Sequence, residues 1–448
     1  MRVITRLGAG LLAAALAAGC GASPGSGNDA ASKAKPSATA NAKPDIAKLG
    51  PVTLTVWDQE VRGGQNKQMK QLNLQFEQKY PNVTIKRVSK SFDDLQKTLK
   101  LAVSGPKAPD VVEANQGRPI MGELVKAGML RPLTDYAKLY GWEDRYSPLL
   151  LDLNRFSSDG KQFGSGDLYG LSQMGEIVGV FYNKDKVSTP PATLADFESQ
   201  LAGAKAQKDV PIQFGNLDKW PGIHDFESVL GQVADKQAIR DFVFARDGAR
   251  FDTPEFTDAA AKITDWVKKG YFTPGFNGTG YDPAWQSFAK GKGRFLIAGT
   301  WVTADLADRM GEKVGFTLMP GKDPSHPVSL GGESLPFAIT SASKSPDVAA
   351  AYIDFITDAN AAKVLTETDN LPAMKGAPVP EGGVSADVAA AWKKLNDADG
   401  VIPYLDYTTP TFFDDVSAAI QELLDGKSSP QAFTTGVQKD FDKWANDR

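Results

Sequence analysis

The sequence predicts an α/β fold, and three observations carry the prediction. Strand-like and helix-like patterns alternate from residue 52 onward, the order that lays parallel strands side by side with helices as crossovers. Pro51 to Arg448 is long for a single core and divides into two domains. The chain is 42% hydrophobic and 23% charged, the make-up of an ordinary folded globule.

Each element follows from its own pattern. Val52 to Trp57 alternates β-branched and apolar residues as a strand does. Met69, Leu72, Phe76 and Tyr80 then mark one face of a helix, which Pro81 stops before a second strand, Val83 to Val88. Phe92, Leu95, Leu99 and Ala102 form the next helical stripe, ended by Gly105-Pro106, and Asp110 to Glu113 is a third, short strand. The middle repeats the theme. Ile177 to Tyr182 reads as a strand, Leu194 to Lys205 as a helix, Pro211 to Gly215 as a strand, Phe256 to Lys269 as a helix and Gly293 to Gly299 as a strand. Two more strands, Val314 to Met319 and Ser334 to Thr340, precede a helical tail. Val348, Ala351, Tyr352, Phe355 and Ile356 line one face there, and Phe412, Val416, Ala419, Ile420 and Leu423 line another.

The N-terminus is of a different kind. Arg2 and Arg6 precede an apolar run from Leu7 to Ala18, too short for a bilayer that needs roughly 20 residues but suited to a secretory signal. The stretch Leu16-Ala17-Ala18-Gly19-Cys20 resembles a bacterial lipobox, with its leucine four places before the cysteine instead of three. That resemblance implies cleavage after residue 19 and lipidation of Cys20. Two or more acyl chains hold a protein stably at a membrane, at about 0.8 kcal/mol per buried CH₂. Cys20 is the only cysteine, so the body forms no intrachain disulfide. Residues 21–50, rich in Gly, Ala, Ser, Lys and Pro, read as a flexible tether with a reach on the order of 30 Å.

A net charge of −4 without a basic cluster excludes a nucleic-acid partner. No phosphate loop, nucleophile elbow or metal-ligand cluster appears, and His224 and His326 stand far apart, so no enzyme class, cofactor or metal is called for. In an open parallel sheet, ligands bind beyond the carboxyl ends of the strands. Those ends carry Asp58, Glu60 and Arg62 after the first strand, and Asn115, Gln116 and Arg118 after the third. Later ends carry Asn216 with Trp220 close behind, and Thr300-Trp301. Each has a plainer reading as a solvated loop residue; their shared location raises them to candidates. Trp285 beside Asp282-Pro283 joins them, as does one of the adjacent pair Phe412 and Phe413, since only one can face inward at a helix start. Trp57, Trp142, Trp266, Trp392 and Trp444 sit in strand or helix patterns and are assigned to packing. Amides, acids and flat rings together suit a carbohydrate, whose hydroxyls both donate and accept and whose C–H faces are apolar.

In order and spacing, the chain resembles the extracellular sugar-binding subunits of ABC importers, the maltose-binding-protein-like family. The stretches that carry this are V-T-L-T-V-W-D from Val52, F-E-Q-K-Y-P-N-V from Phe76, A-P-D-V-V from Ala108 and G-M-L-R-P-L from Gly128. Y-G-L-S from Tyr169, V-F-Y-N-K-D from Val180, G-T-W from Gly299, G-G-E-S-L-P-F-A-I from Gly331 and S-P-D-V-A-A-A-Y-I-D-F-I from Ser345 complete the series. The resemblance implies a fold of the type II periplasmic-binding-protein kind: two doubly wound lobes joined by a hinge crossed three times. It implies lobes of 51–172 with 320–371 and 174–319 with 380–448, preceded by a signal at 1–19 and a tether at 20–50. By position it marks Glu60, Arg62, Gln116, Arg118, Trp301 and Phe412, adds Glu176, six residues before Tyr182, and includes Glu333. It also implies capture of an oligosaccharide by a monomer and delivery to integral-membrane permease subunits. Two alternatives stay open: a lipid-anchored extracellular glycoside hydrolase with two acids roughly 5–10 Å apart, and the same fold holding a non-sugar solute.

Overall fold

The computed structural model describes residues 42–321 and 325–447. The signal segment and Cys20 lie outside the described residues. Among the described residues, twelve strands fall into two main sheets and a hairpin. In the first sheet β1 (Val52–Asp58) is flanked by β2 (Val83–Ser89) and β3 (Val111–Glu113), both parallel to it, as the βαβαβ pattern requires. Its two crossover helices are Gly63–Lys79 and Phe92–Ser104, the second capped by Ser91, whose hydroxyl accepts from the Asp94 amide. The hairpin pairs β4 (Arg155–Phe156) with β5 (Asp167–Leu168).

The second sheet is mixed. Its centre is β6 (Gly175–Asn183), a strand of almost wholly buried residues. On one side of β6, and antiparallel to it, lies β8 (Phe295–Gly299), and beyond β8, parallel to it, lies β7 (Ile212–Gln213). On the other side of β6, also antiparallel, β9 (Val314–Thr317) and β10 (Ser329–Glu333) lie end to end. The reading of the middle as a continuation of the βα alternation therefore needs correcting. Strand direction depends on how connections return, which hydrophobic period does not encode. The expected strand Ser334 to Thr340 also resolves differently. Its last part is β11 (Phe337–Ile339), antiparallel to β3 in the first sheet, while β10 just before it belongs to the second and pairs onward with β12 (Val401–Ile402).

The chain thus passes between the sheets three times: at Ser172-Gln173-Met174, at Ser334-Leu335-Pro336, and after the helix Ala359–Glu367. The three passages are hydrogen-bonded side by side. The Ser334 amide donates to the Met174 carbonyl (3.0 Å), Gly175 to Leu371 (2.9 Å), Ala373 to Gln173 (2.9 Å) and Leu171 to Phe337 (3.1 Å). The core beneath the C-terminal helices is aromatic, with Phe242, Phe251, Phe256, Phe412, Phe433 and Phe441 linked through ring contacts.

The end of the expected flexible tether is structured. Ile46 is buried, and Asn82 Nδ2 donates to the carbonyls of Ile46 (2.8 Å) and Leu49 (3.0 Å), while Lys43 Nζ sits 4.7 Å from the Tyr140 ring centre. The buried isoleucine and the asparagine fork tie this segment to the body. Among the described residues, no helix is long and apolar enough to cross a membrane.

Candidate functional site

Between the rims of the two sheets lies a cleft that encloses about 630 Å³ of space open to solvent. Its wall is assembled from strand ends. β1 runs out into Gln59 and Arg62, β3 into Asn115, and β8 into Trp301. Because β6 is antiparallel to β8, its beginning lies beside the end of β8, and that brings Glu176 to the same rim. Phe92 enters from the start of its helix, Trp220 and His224 from the helix Trp220–Val233, and Tyr404, Asp406 and Tyr407 from the loop after β12.

The rings are held rather than loose. Trp301 Nε1 donates to the Tyr281 hydroxyl (2.6 Å), and the ring folds back so closely that a Cβ at Gly299 would stand 1.8 Å from it. Glycine at 299, two places before the tryptophan, leaves the space this ring occupies. Trp220 lies 4.5 Å, centre to centre, from Tyr281 in a tilted contact, and edge-on to Trp301 at 6.1 Å and to Phe92 at 6.4 Å. His224 sits between Trp301 (5.6 Å) and Tyr404 (5.0 Å); burial pushes its imidazole down to about 3, so it stays neutral. The loop before Trp220 bends through Lys219 at φ +68°, a strained value for a side-chain-bearing residue. Asn216 pins that bend: its amide oxygen accepts from the Gly222 N–H (2.8 Å) and its amide nitrogen donates to Asn277 (2.8 Å).

The polar groups face the same space. The Tyr404 hydroxyl donates to Glu176 Oε1 (2.9 Å), and burial pushes the Glu176 carboxyl up to about 8 despite that bond. Burial pushes Asp406 up to about 7. Arg62 Nη2 reaches Asp282 Oδ1 (3.3 Å) at the mouth, across from the first sheet to the second. This arrangement offers acceptors (Glu176, Asp406), donors (Arg62, Asn115, Gln59) and flat apolar faces to one small molecule.

Of the sequence candidates, Arg62, Asn115, Glu176, Trp220 and Trp301 meet in this cavity, and the others stand behind it. Asp58 is fully buried in a two-point pairing with Arg87 (2.6 and 2.7 Å). Glu60 is buried against Glu113 and pushed up to about 7 by burial. Gln116 donates to the carbonyls of Glu333 (3.1 Å) and Ser334 (2.8 Å) and accepts from the Tyr407 hydroxyl (3.2 Å), fixing the second passage. Glu333 itself accepts from Asn154. Asn216 is the loop pin described above. Trp285 is 3% exposed and donates to Asp282 Oδ1 (2.8 Å), steadying the partner of Arg62. Arg118 donates to the carbonyls of Thr408 (2.7 Å), Val243 (3.1 Å) and Phe244 (3.1 Å), the last two at the end of the helix Lys236–Val243. Gly117, at φ +77°, lets that backbone press onto Tyr407. Phe412 is 1% exposed in the aromatic core, and Phe413 is the one of the pair that lines the cavity.

Sequence reasoning missed Tyr404, Asp406, Tyr407 and His224. The signal for the first three was present, because Pro403-Tyr404-Leu405-Asp406-Tyr407 ends a strand with two rings and an acid. Trp392 lines a second cavity beside the third passage, with Leu371 and Pro372.

This fold and this cleft define the class. Residues 71–395 match the family described as bacterial extracellular solute-binding protein, and the chain belongs to it. Maltodextrin-binding protein MdxE of Bacillus subtilis is 26% identical over 319 residues, 66% of this chain and 68% of that protein. The galactooligosaccharide-binding protein of the same organism is 24% identical over 399 residues, 84% and 86% of the two chains. A solved chitin oligosaccharide binding protein superposes with a TM-score of 0.75 at 24% identity, covering 88% of this chain and 99% of that one. A second, RafE in complex with raffinose, gives 0.70 at 19% identity, with 88% and 99% covered. Both show the fold. The family and these relatives are binding proteins.

Proposed function

We propose that this protein captures an oligosaccharide outside the cell and hands it to an ABC importer. The observation that carries the reading is the cavity between two sheet rims, where Trp220, Trp301 and Phe413 offer stacking faces around Glu176, Asp406, Asn115 and Arg62. Sugar docks on one rim, and rotation about the three adjacent passages brings the other rim onto it. A ligand that touches both sides binds the closed form better and so draws the population toward closure. The lobes are 51–172 with 320–371 and 174–319 with 380–448, except that the return to the first starts after β10, since β10 pairs with β6. Capture with a dissociation constant near micromolar, about −8 kcal/mol, gathers dilute sugar and still releases it. The names of the relatives MdxE and the galactooligosaccharide-binding protein support a saccharide. Cys20, once lipidated, anchors the monomer at the outer face of the cytoplasmic membrane, where permease subunits receive the load.

A thermal-shift panel of mono-, di- and trisaccharides on the mature body tests this, since a bound ligand raises the melting temperature by mass action. Trp301→Ala should abolish the shift and leave far-ultraviolet circular dichroism intact; a surviving shift removes the stacking role. Silence across the panel counts against sugar, and hydrolysis of any member would revive the enzyme alternative. Cys20→Ser should move the full chain from membranes to the soluble fraction, and unchanged membrane recovery would dispose of the anchor.

A further inference from the structure

The ionisable groups around the cleft are mostly acids. Glu176 and Asp406 both line the cavity; Asp406 is 6% exposed and has no ion-pair partner among the described residues. Among the described residues, Arg62 is the one Lys or Arg that lines it, and its guanidinium already faces Asp282 at 3.3 Å. At the mouth, Asp93 from the first side meets the fields of Asp218 and Asp282 from the second, with Lys97 as the opposing cation. Acids of one sign at the mouth focus potential and draw the opposite charge. Around the two acids stand aromatic faces, with His224 and Tyr404 5.0 Å apart and Tyr404 and Tyr407 5.5 Å apart in edge-on contact. Rings and acids together make the kind of box that holds an ammonium group.

We infer that the preferred saccharide carries a protonated amine, an amino sugar seated with its ammonium between Glu176 and Asp406 and its C–H faces on Trp220 and Trp301. The inference rests on the saccharide reading above and narrows it. A neutral sugar can accept from Arg62 and hydrogen-bond the two acids, but it does nothing to favour their ionised forms. A cation does, and it also gains from the ring faces. Burial raises Glu176 to about 8 and Asp406 to about 7, so both largely hold protons at pH 6.5 in the empty site; a seated ammonium favours the carboxylates, so its binding releases protons, while His224, neutral from burial, provides no countercharge.

Matched probe pairs test it by titration calorimetry on the mature body at pH 6.5 in low salt: glucosamine with glucose, galactosamine with galactose, and the glucosamine β-1,4 dimer with cellobiose. In at least one pair the amine member should bind about tenfold tighter or better, and the advantage should shrink in high salt and vanish on N-acetylation. Asp406→Asn, and independently Glu176→Gln, should collapse the ratio between pair members, so one misfolded variant leaves the other to decide. If a neutral member binds as tightly as its amine in every pair, this inference fails and the saccharide reading stands. If no member of any pair, nor any sugar of the wider panel, binds, both fail.

Discussion

Replacing Arg118 with alanine probes closure through one buried side chain. Arg118 follows β3 of the first sheet, yet its guanidinium donates to the carbonyls of Val243, Phe244 and Thr408, which belong with the second. Thr408 directly follows Leu405–Tyr407, the turn that delivers Asp406 and Tyr407 to the cavity. A hydrogen bond to a charged donor contributes about 1.5–3 kcal/mol, so three represent roughly 6 kcal/mol gross. Removing the buried cation also returns part of its desolvation cost, several kcal/mol in such settings. The net loss from the closed form comes to about 3 kcal/mol, or on the order of a hundredfold in the closed-to-open ratio. If only the closed form retains sugar, the whole factor appears in the dissociation constant, mainly as faster release. The assay is calorimetry and stopped-flow release with the best saccharide of the panel, for Arg118→Ala, Arg118→Met and Arg118→Lys. Lysine should not rescue, because a point charge cannot serve three fixed carbonyls as a planar fork does. Spin labels at Leu101→Cys and Lys290→Cys should report a longer separation in the variant. Both sites are exposed, and a body beginning at residue 42 leaves out Cys20, the single native cysteine, so no third label attaches. Affinity within threefold of the unmodified protein, with an unchanged separation, would refute the clasp.

Two further outcomes follow from the same geometry. Phe412→Ala should destabilise the fold by about 3–5 kcal/mol, as loss of a buried phenyl ring does, whereas Phe413→Ala should spare the melting temperature and weaken sugar binding; the reverse pattern by calorimetry would exchange the roles of the two rings. Stability without ligand should fall between pH 6.5 and 8.5. Burial raises Glu176 and Glu333 to about 8 and Glu60 and Asp406 to about 7, so the folded state holds protons that the unfolded chain, titrating near 4, has already lost. Their contribution is full below the unfolded value and is lost as pH rises through the folded ones. His224, held near 3, acts in the opposite sense only below about pH 6.5, which is why the window starts there. A melting temperature that climbs steadily across that window would contradict the burial of these acids.

What the sequence reveals and what it hides divide along physical lines. The first sheet was legible because β1, β2 and β3 alternate with helices whose apolar stripes repeat at 3.6 residues, and a parallel crossover has essentially one hand. The rule that ligands gather at strand ends then located Arg62, Asn115, Trp220 and Trp301 without any coordinates. It failed for Asp58, at the end of β1, and for Gln116 and Arg118, beside Asn115, because a position at a strand end does not say which way the side chain turns. An inward arginine facing carbonyls looks identical in sequence to one facing a ligand. Asp58 had a partner 29 positions away in Arg87, on the neighbouring strand of a register that no local pattern specifies. The direction of β8 was hidden for a similar reason, although its reversal relative to β6 is what sets Glu176 beside Trp301. Local periodicity therefore fixes which residues can reach the cleft. Long-range pairing decides which of them turn toward it, and the acids and rings that do so leave the site short of positive charge.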